Sequence, residues 1–126
     1  MTLLLVDDDC SLRRRTASRL RRHGHAVITA AHGQEGWMIL RTESSIRLVV
    51  TEVQLPLLDG RTMVAMARGR RPELCVLFTT RHPETLALSH DGVLAQPGMD
   101  MLLKPFDLDL LVGRVHALLQ HATHSS

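Results

Sequence analysis

The stretch LLLVDDD, residues 3–9, decides how the rest of the chain is interpreted. Its first four residues are apolar without alternation, which is typical of a short strand buried on both faces of a parallel sheet. The acids Asp7, Asp8 and Asp9 follow directly. A buried strand that ends in acids predicts a parallel sheet whose carboxyl edge carries negative charge.

The pattern of a short apolar run followed by a helical segment repeats along the chain. Ser11 is the candidate cap of the first helical segment, and Gly24 is its stop signal. Strands that alternate with helices predict an α/β fold, in which a parallel sheet lies between two helical layers. The predicted strands are residues 3–6, 26–30, 47–51, 75–79 and 100–103, and the predicted helices are residues 10–23, 34–42, 62–70, 83–89 and 107–120.

Length and composition limit the class of protein. The chain has 126 residues, 44% of them hydrophobic, and a mean hydropathy of +0.02, as expected for one globular domain. No apolar run approaches the roughly 20 residues that span a bilayer, and the N-terminus lacks the basic segment of a signal peptide. Two cysteines do not form a disulfide framework. We therefore expect a cytoplasmic domain over residues 1–121, a tail over residues 122–126, and no membrane partner.

Polar side chains stand where the predicted strands end. Ligands of open α/β sheets bind beyond the carboxyl ends of the strands, so these residues should share one site. Carboxylates suit Mg²⁺, which prefers oxygen ligands, whereas a lysine and a hydroxyl suit a phosphoryl group. Each signal alone has a simpler explanation as a helix cap or a loop, but their convergence predicts a site for Mg²⁺ and phosphate. The residues are Asp7, Asp8, Glu52, Thr80 and Lys104.

Four motifs carry a family resemblance: LLLVDDD, the LP and DG of EVQLPLLDG, VLFTT and LLKPF. Together, over residues 3 to about 119, they resemble the receiver domain of two-component response regulators. The resemblance implies a flavodoxin-like (CheY-like) three-layer sandwich with a parallel sheet of order 2-1-3-4-5 and five helices. It also implies a role in phosphorelay signalling, as a signalling module rather than an enzyme. The implied partners are a histidine kinase or phosphotransfer protein and a downstream effector.

The resemblance assigns roles to single residues. Asp7 and Asp8 match the acidic pair that holds Mg²⁺, and Gln54 would add its backbone carbonyl as a further ligand. Thr80 matches the switch hydroxyl, which moves toward the phosphoryl group. Lys104 matches the lysine of the family pattern. These assignments follow from the motif positions in receivers.

The family's phosphoacceptor aspartate lies four residues before the motif proline, and here that position holds Glu52. The additional methylene displaces the carboxylate by on the order of 1.5 Å, and in-line attack on a phosphoryl group tolerates such misplacement poorly. The longer acid could instead reach toward Lys104 and Thr80 and mimic part of the charge of an aspartyl phosphate. Three interpretations stay open: a phosphomimetic interaction module, an inactive site, and a weak phosphoacceptor that uses Glu52 or Asp8. In each, Mg²⁺ binding is weakened.

Other positions bear on the output of the domain. Met101 stands where many receivers have an aromatic residue, so we do not expect a two-position aromatic switch. The resemblance predicts a cis peptide bond before Pro105, and Trp37 is expected to pack in the core. The weak fourth helix, residues 83–89, puts the usual dimer face in doubt, so we expect a monomer or a weak dimer.

The first predicted helix is rich in arginine and contains no acid. A solvated charged face is the default interpretation, and docking of the kinase or phosphotransfer partner is the alternative. DNA binding through this helix is a weaker alternative, and it would show as a salt-dependent affinity. Metal binding by His121 and His124 is less expected than a simple tail. The arginines are Arg13, Arg14, Arg15, Arg19, Arg21 and Arg22.

Overall fold

The computed structural model describes residues 1–85 and 97–124, with side chains to residue 120. Strands and helices alternate in these ranges, as the sequence predicts. The strands are β1 (Thr2–Val6), β2 (Ala26–Ala30), β3 (Ile46–Glu52), β4 (Cys75–Thr80) and β5 (Met99–Leu103). The helices are α1 (Cys10–Arg22), α2 (Gly33–Thr42), α3 (Gly60–Arg70) and α4 (Leu108–His124), the last being the fifth helix of the prediction.

The five strands form one parallel sheet in the order β2-β1-β3-β4-β5. β1 lies between its two neighbours, with Leu5 opposite Thr29 of β2 and Val50 of β3. This order confirms the predicted flavodoxin-like (CheY-like) topology. Because all strands run in the same direction, their carboxyl ends meet at one edge of the sheet.

The apolar runs of the strands are buried because helices cover both faces of the sheet. Leu4 and Val6 point into a cluster that includes Met63 of α3, whereas Leu3 and Leu5 point into a second cluster closed by α1 and α4. Each fully buried leucine contributes about 1.5–3 kcal/mol relative to an exposed one. Two clusters on opposite faces explain why the strands read as continuous apolar runs rather than as alternating ones.

Trp37 packs against the core, as the sequence predicts. It is half-buried against the cluster on the α2–α3 side, and the guanidinium of Arg41 lies 5.9 Å from the ring centroid. Met101 of β5 is buried in the same cluster.

The N-terminal ends of two helices differ from the prediction, α1 in its capping residue and α3 in its first residue. Asp9, not Ser11, caps α1, because its carboxylate accepts a hydrogen bond from the Leu12 amide at 3.0 Å. α3 begins at Gly60, two residues earlier than predicted, because Asp59 caps it. Aspartate is among the preferred residues at this position, since its side chain satisfies an amide that has no partner within the helix.

The end of the last helix was predicted too early. α4 runs to His124, four residues past the predicted end at Gln120, so residues 121–124 are helical. Neither glycine nor proline occurs between residues 121 and 124, and nothing local therefore stops the helix. Of the predicted fourth helix, residues 83–85 are helical and the remainder lies outside the described residues. No helix in the described ranges is long and apolar enough to cross a membrane.

Candidate functional site

The carboxyl edge of the sheet gathers four buried polar side chains. Asp7 follows β1, Glu52 and Thr80 end β3 and β4, and Lys104 follows β5. They are 4%, 6%, 1% and 5% exposed, respectively. A buried charge is costly unless it is paired and hydrogen-bonded, so the contacts among these groups decide the chemistry of the site.

The ammonium of Lys104 joins two carboxylates. Its Nζ lies 2.9 Å from Oδ2 of Asp7 and 2.9 Å from Oε2 of Glu52, and its side chain is 1% exposed. Asp7 is 97 residues distant along the chain. Two carboxylates therefore share one cation in a site with little access to water, which leaves an excess of negative charge when both are ionised.

Both oxygens of Glu52 are engaged. Oε2 pairs with Lys104, and Oε1 accepts a hydrogen bond from the backbone amide of Asp8 at 3.0 Å. Burial raises the pKa of the Glu52 carboxyl from 4.5 to about 7. A hydrogen bond with the Asp8 side chain acts in the same direction, and Lys104 acts in the opposite one. Glu52 is therefore poised to exchange a proton near neutral pH.

The acidic cluster fits a hard divalent cation. One carboxylate oxygen from each of Asp7, Asp8 and Glu52 lies within 4.8 Å of the other two. Asp8 is exposed, so the cluster has an open side toward solvent. Oxygen donors of this kind suit Mg²⁺, which also retains several waters. Such an ion would have to compete with the ammonium of Lys104 for Asp7 and Glu52.

Thr80 contacts a residue other than the one expected. Its hydroxyl donates a hydrogen bond to the side-chain carbonyl of Gln54 at 3.0 Å and accepts one from the amide of His82 at 3.1 Å. The Gln54 amide group then donates to the hydroxyl of Thr85 at 3.3 Å. The sequence predicted only a backbone role for Gln54, yet its side chain links the loops that follow β3 and β4.

Two further residues support the site and were missed from the sequence. Arg13 of α1 donates a hydrogen bond to the backbone carbonyl of Asp7 at 2.6 Å. Gly60 lies against the end of β3, where an added Cβ would be 2.0 Å from the carbonyl oxygen of Glu52. The DG pair served in the sequence only as a motif of the family resemblance, although it also marks this close approach. The Lys104–Pro105 peptide bond is cis, which confirms that prediction.

Comparisons with known proteins agree with the fold. Residues 3–116 match the family described as the response regulator receiver domain. The chain is 32% identical over 123 residues to the transcriptional regulatory protein GlrR of Escherichia coli (strain K12), an alignment that covers 95% of this chain and 26% of that protein. It is 33% identical over 125 residues to a chemotaxis protein CheY homolog of Campylobacter jejuni, with 94% and 92% covered.

Solved structures show the same architecture. A response regulator receiver protein from Sinorhizobium medicae WSM419 is 28% identical, with a TM-score of 0.85 and 97% and 96% of the two chains covered. The receiver domain of the hybrid histidine kinase CckA is 29% identical, with a TM-score of 0.77 and 94% and 99% covered.

Several relatives are longer than this chain. It spans 26% of GlrR and 54% of the transcriptional regulatory protein AfsQ1 of Streptomyces coelicolor. It thus corresponds to one part of those proteins. Receiver domains generally bind Mg²⁺ at an acidic cluster, and they interact with histidine kinases or phosphotransfer proteins and with downstream effectors. On its fold and on the family match over residues 3–116, the chain belongs to the response regulator receiver domain family of two-component signalling.

Proposed function

We propose that this chain acts in phosphorelay signalling as a protein-interaction module whose state does not depend on phosphate uptake, because Glu52 stands at the phosphoacceptor position. The observation that carries the proposal is the 2.9 Å ion pair between Glu52 Oε2 and Lys104 Nζ. The Glu52 carboxylate is thereby already paired with the Lys104 ammonium, the cation that a phosphoryl group would need.

The charge of the site supports this proposal. Phosphoryl transfer depends mainly on positioning and on neutralisation of the transferred group. Lys104 is already neutralised by Glu52 and Asp7. An incoming phosphoryl group would have to displace at least one of these carboxylates. The Glu52 carboxylate supplies part of the charge of an aspartyl phosphate, although it has fewer oxygens.

The position of the nucleophile supports it as well. A carboxylate attacks through a free oxygen that is in line with the leaving group. Both oxygens of Glu52 are held by neighbours, one by the Asp8 amide and one by Lys104. The additional methylene also carries the carboxylate beyond the place of the shorter aspartate.

The switch hydroxyl is held by groups of the protein. Thr80 is 1% exposed and bonds to Gln54 and His82 in the described part of the chain, and not to Glu52. Met101 contributes a flexible apolar side chain to the core beneath it, in place of an aromatic rotamer switch. We therefore expect the surface that binds the downstream effector to keep one conformation.

Binding partners follow from this role. We expect a histidine kinase or phosphotransfer protein, a downstream effector, or both, in the cytoplasm and without enzymatic activity of this chain. The exposed arginines of α1, such as Arg14 and Arg15, offer a docking surface for an acidic partner. Mg²⁺ would be held weakly by Asp7, Asp8 and Glu52, with the carbonyl of Gln54 as a further ligand, and it would screen negative charge in the site.

A weakly active phosphoacceptor is the second candidate. Asp8 favours it, because this residue is exposed beside the buried cluster and one of its oxygens lies within 4.8 Å of one oxygen each of Asp7 and Glu52. A small phosphodonor could therefore reach Asp8 without displacing Lys104. This candidate predicts a labelled aspartate rather than a labelled glutamate.

The test compares phosphate uptake in three forms: native protein, Glu52→Asp and Glu52→Gln. Each is incubated with acetyl phosphate and Mg²⁺, and its intact mass is measured, followed by peptide mapping. We expect no uptake by native protein or Glu52→Gln, and uptake of one phosphate by Glu52→Asp. Phosphate on Glu52 of the native protein would overturn the proposal, and phosphate on Asp8 would establish the second candidate. A folded Glu52→Asp that stays unlabelled would show that the site differs from an active receiver at more than one position.

A further inference from the structure

Three histidines meet at the amino edge of the sheet, opposite the acidic site. His23 ends α1, His25 precedes β2, and His116 lies on α4. The ring centroid of His116 is 5.6 Å from that of His23 and 5.2 Å from that of His25. The proposed signalling role uses none of these side chains.

Two ring nitrogens face each other directly. Nε2 of His25 lies 3.0 Å from Nε2 of His116. A hydrogen bond between the rings requires one donor and one acceptor tautomer, and it leaves Nδ1 of His25 buried without a partner in the described part of the chain. Hydrogen bonding within the protein therefore does not fully satisfy this pair.

Space for an ion adjoins the two rings. An open cavity of about 310 Å³ adjoins the pair and is lined by His25, His116, Leu119 and Gln120 together with Met1. Since one water takes about 30 Å³ of liquid, the cavity has room for an ion and its remaining waters.

We propose that His25 and His116, with His23 as a third ligand, bind a borderline divalent transition metal such as Zn²⁺. Imidazole nitrogen suits Zn²⁺, Ni²⁺ and Cu²⁺, whereas Mg²⁺ prefers oxygen. The two sites of the molecule would therefore select different ions. The histidine site goes beyond the proposed signalling role and does not depend on it.

The geometry requires only a small adjustment. Zn–N bonds of about 2.0–2.1 Å at tetrahedral angles place two nitrogens roughly 3.3 Å apart, and the pair is 3.0 Å apart before any ion enters. His23 is exposed and its ring centroid is 5.6 Å from that of His116, so its side chain would have to turn toward the ion to become the third ligand. Water would complete the coordination shell, as in zinc sites with three protein ligands.

Such an ion would tie the turn between α1 and β2 to α4. In the folded protein these segments are already adjacent, whereas in the unfolded chain His25 and His116 are 91 residues apart. A ligand that binds only the folded state stabilises it by mass action. Zn²⁺ is therefore expected to raise the melting temperature of the native protein.

The test is a calorimetric titration of the full chain with ZnCl₂ in excess Mg²⁺, which saturates the acidic cluster. We expect one Zn²⁺ site. His25→Asn and His116→Asn should each weaken it at least about tenfold, since loss of even a group that only supports a metal ligand costs 10–100-fold. His82→Asn is the matched control, because this histidine is exposed and pairs with Glu84 away from the cluster. Its Zn²⁺ affinity should equal that of native protein.

A second arm separates the proposed site from the histidines near the C-terminus. The double variant His121→Asn, His124→Asn should bind Zn²⁺ as native protein does. If either ligand variant fails to fold, the imidazole ¹⁵N shifts of native protein report the ligands directly, and those of His25 and His116 should move. Absence of Zn²⁺ binding, binding that survives in His25→Asn and His116→Asn, or loss of binding in the double variant would each overturn the proposal.

Discussion

Lys104 and Glu52 form a buried ion pair of 2.9 Å at the carboxyl edge of the sheet. The same ammonium also pairs with Asp7, so one cation holds the ends of β1 and β3. The pair supports the fold, and under the proposed function it also engages the lysine that a phosphoryl group would need. Stability and signalling are therefore expected to change together when this pair is altered.

Removal of the cation should destabilise the domain. Lys104→Met leaves two buried carboxylates without a partner, and loss of one member of a buried pair costs about 3–5 kcal/mol. The loss should be smaller at pH 5, where the carboxyls can take up protons. Urea unfolding at pH 5 and pH 8 measures the loss in unfolding free energy. The control is Arg47→Met at an exposed position, whose unfolding free energy should stay within about 0.5 kcal/mol of that of native protein. Equal losses at both pH values would contradict this explanation.

The raised pKa of Glu52 predicts how stability depends on pH. The folded protein keeps the proton to about pH 7, whereas the unfolded chain loses it near 4.5. The stabilising contribution is therefore complete below pH 4.5 and is lost as pH rises through about 7. Between 4.5 and about 7, at 1.36 kcal/mol per pH unit, it amounts to at most roughly 3–4 kcal/mol. Glu52→Gln should flatten unfolding free energy against pH in this window, whereas the exposed Glu73→Gln should leave the slope unchanged.

Binding of Mg²⁺ should depend on the same proton. The ion requires ionised carboxylates, so its affinity is expected to increase from pH 6 to pH 8 as Glu52 is deprotonated. Glu52→Asp should bind Mg²⁺ more tightly than native protein, because Mg²⁺ demands near-ideal octahedral geometry. The amide shift of Asp8 during Mg²⁺ titration reports both effects. Tight binding that neither pH nor this substitution changes would refute the prediction.

Close packing at the start of α3 gives a test that does not involve charge. An added Cβ at Gly60 would be 2.0 Å from the carbonyl oxygen of Glu52, so backbone must move. Gly60→Ala should cost about 1–3 kcal/mol or more, as overpacking does. Gly69→Ala is the control in the same helix, because its Cβ meets nothing within 4 Å. It should stabilise the protein by about 0.5–1 kcal/mol, and chemical denaturation of both variants measures the contrast.

Much of the site was predictable from the sequence because each residue stands next to a recognisable strand. Asp7 and Lys104 follow apolar runs, and parallel strands bring such positions to one edge. The side chain of Gln54 could not be placed in this way. It lies in a loop after β3 and bonds to Thr80 and Thr85, 26 and 31 residues away. No local sequence pattern predicts such a contact.

The sequence by itself determined the alternation of strands and helices and the order of polar residues along the sheet edge, because these depend on periodicity and on residue identity. Tertiary structure alone decided that Glu52 reaches Lys104 and that His25 meets His116. The physical reason is distance along the chain. Local patterns report which face of a strand or helix is buried, whereas side chains 44 to 97 residues apart meet only after the sheet has formed.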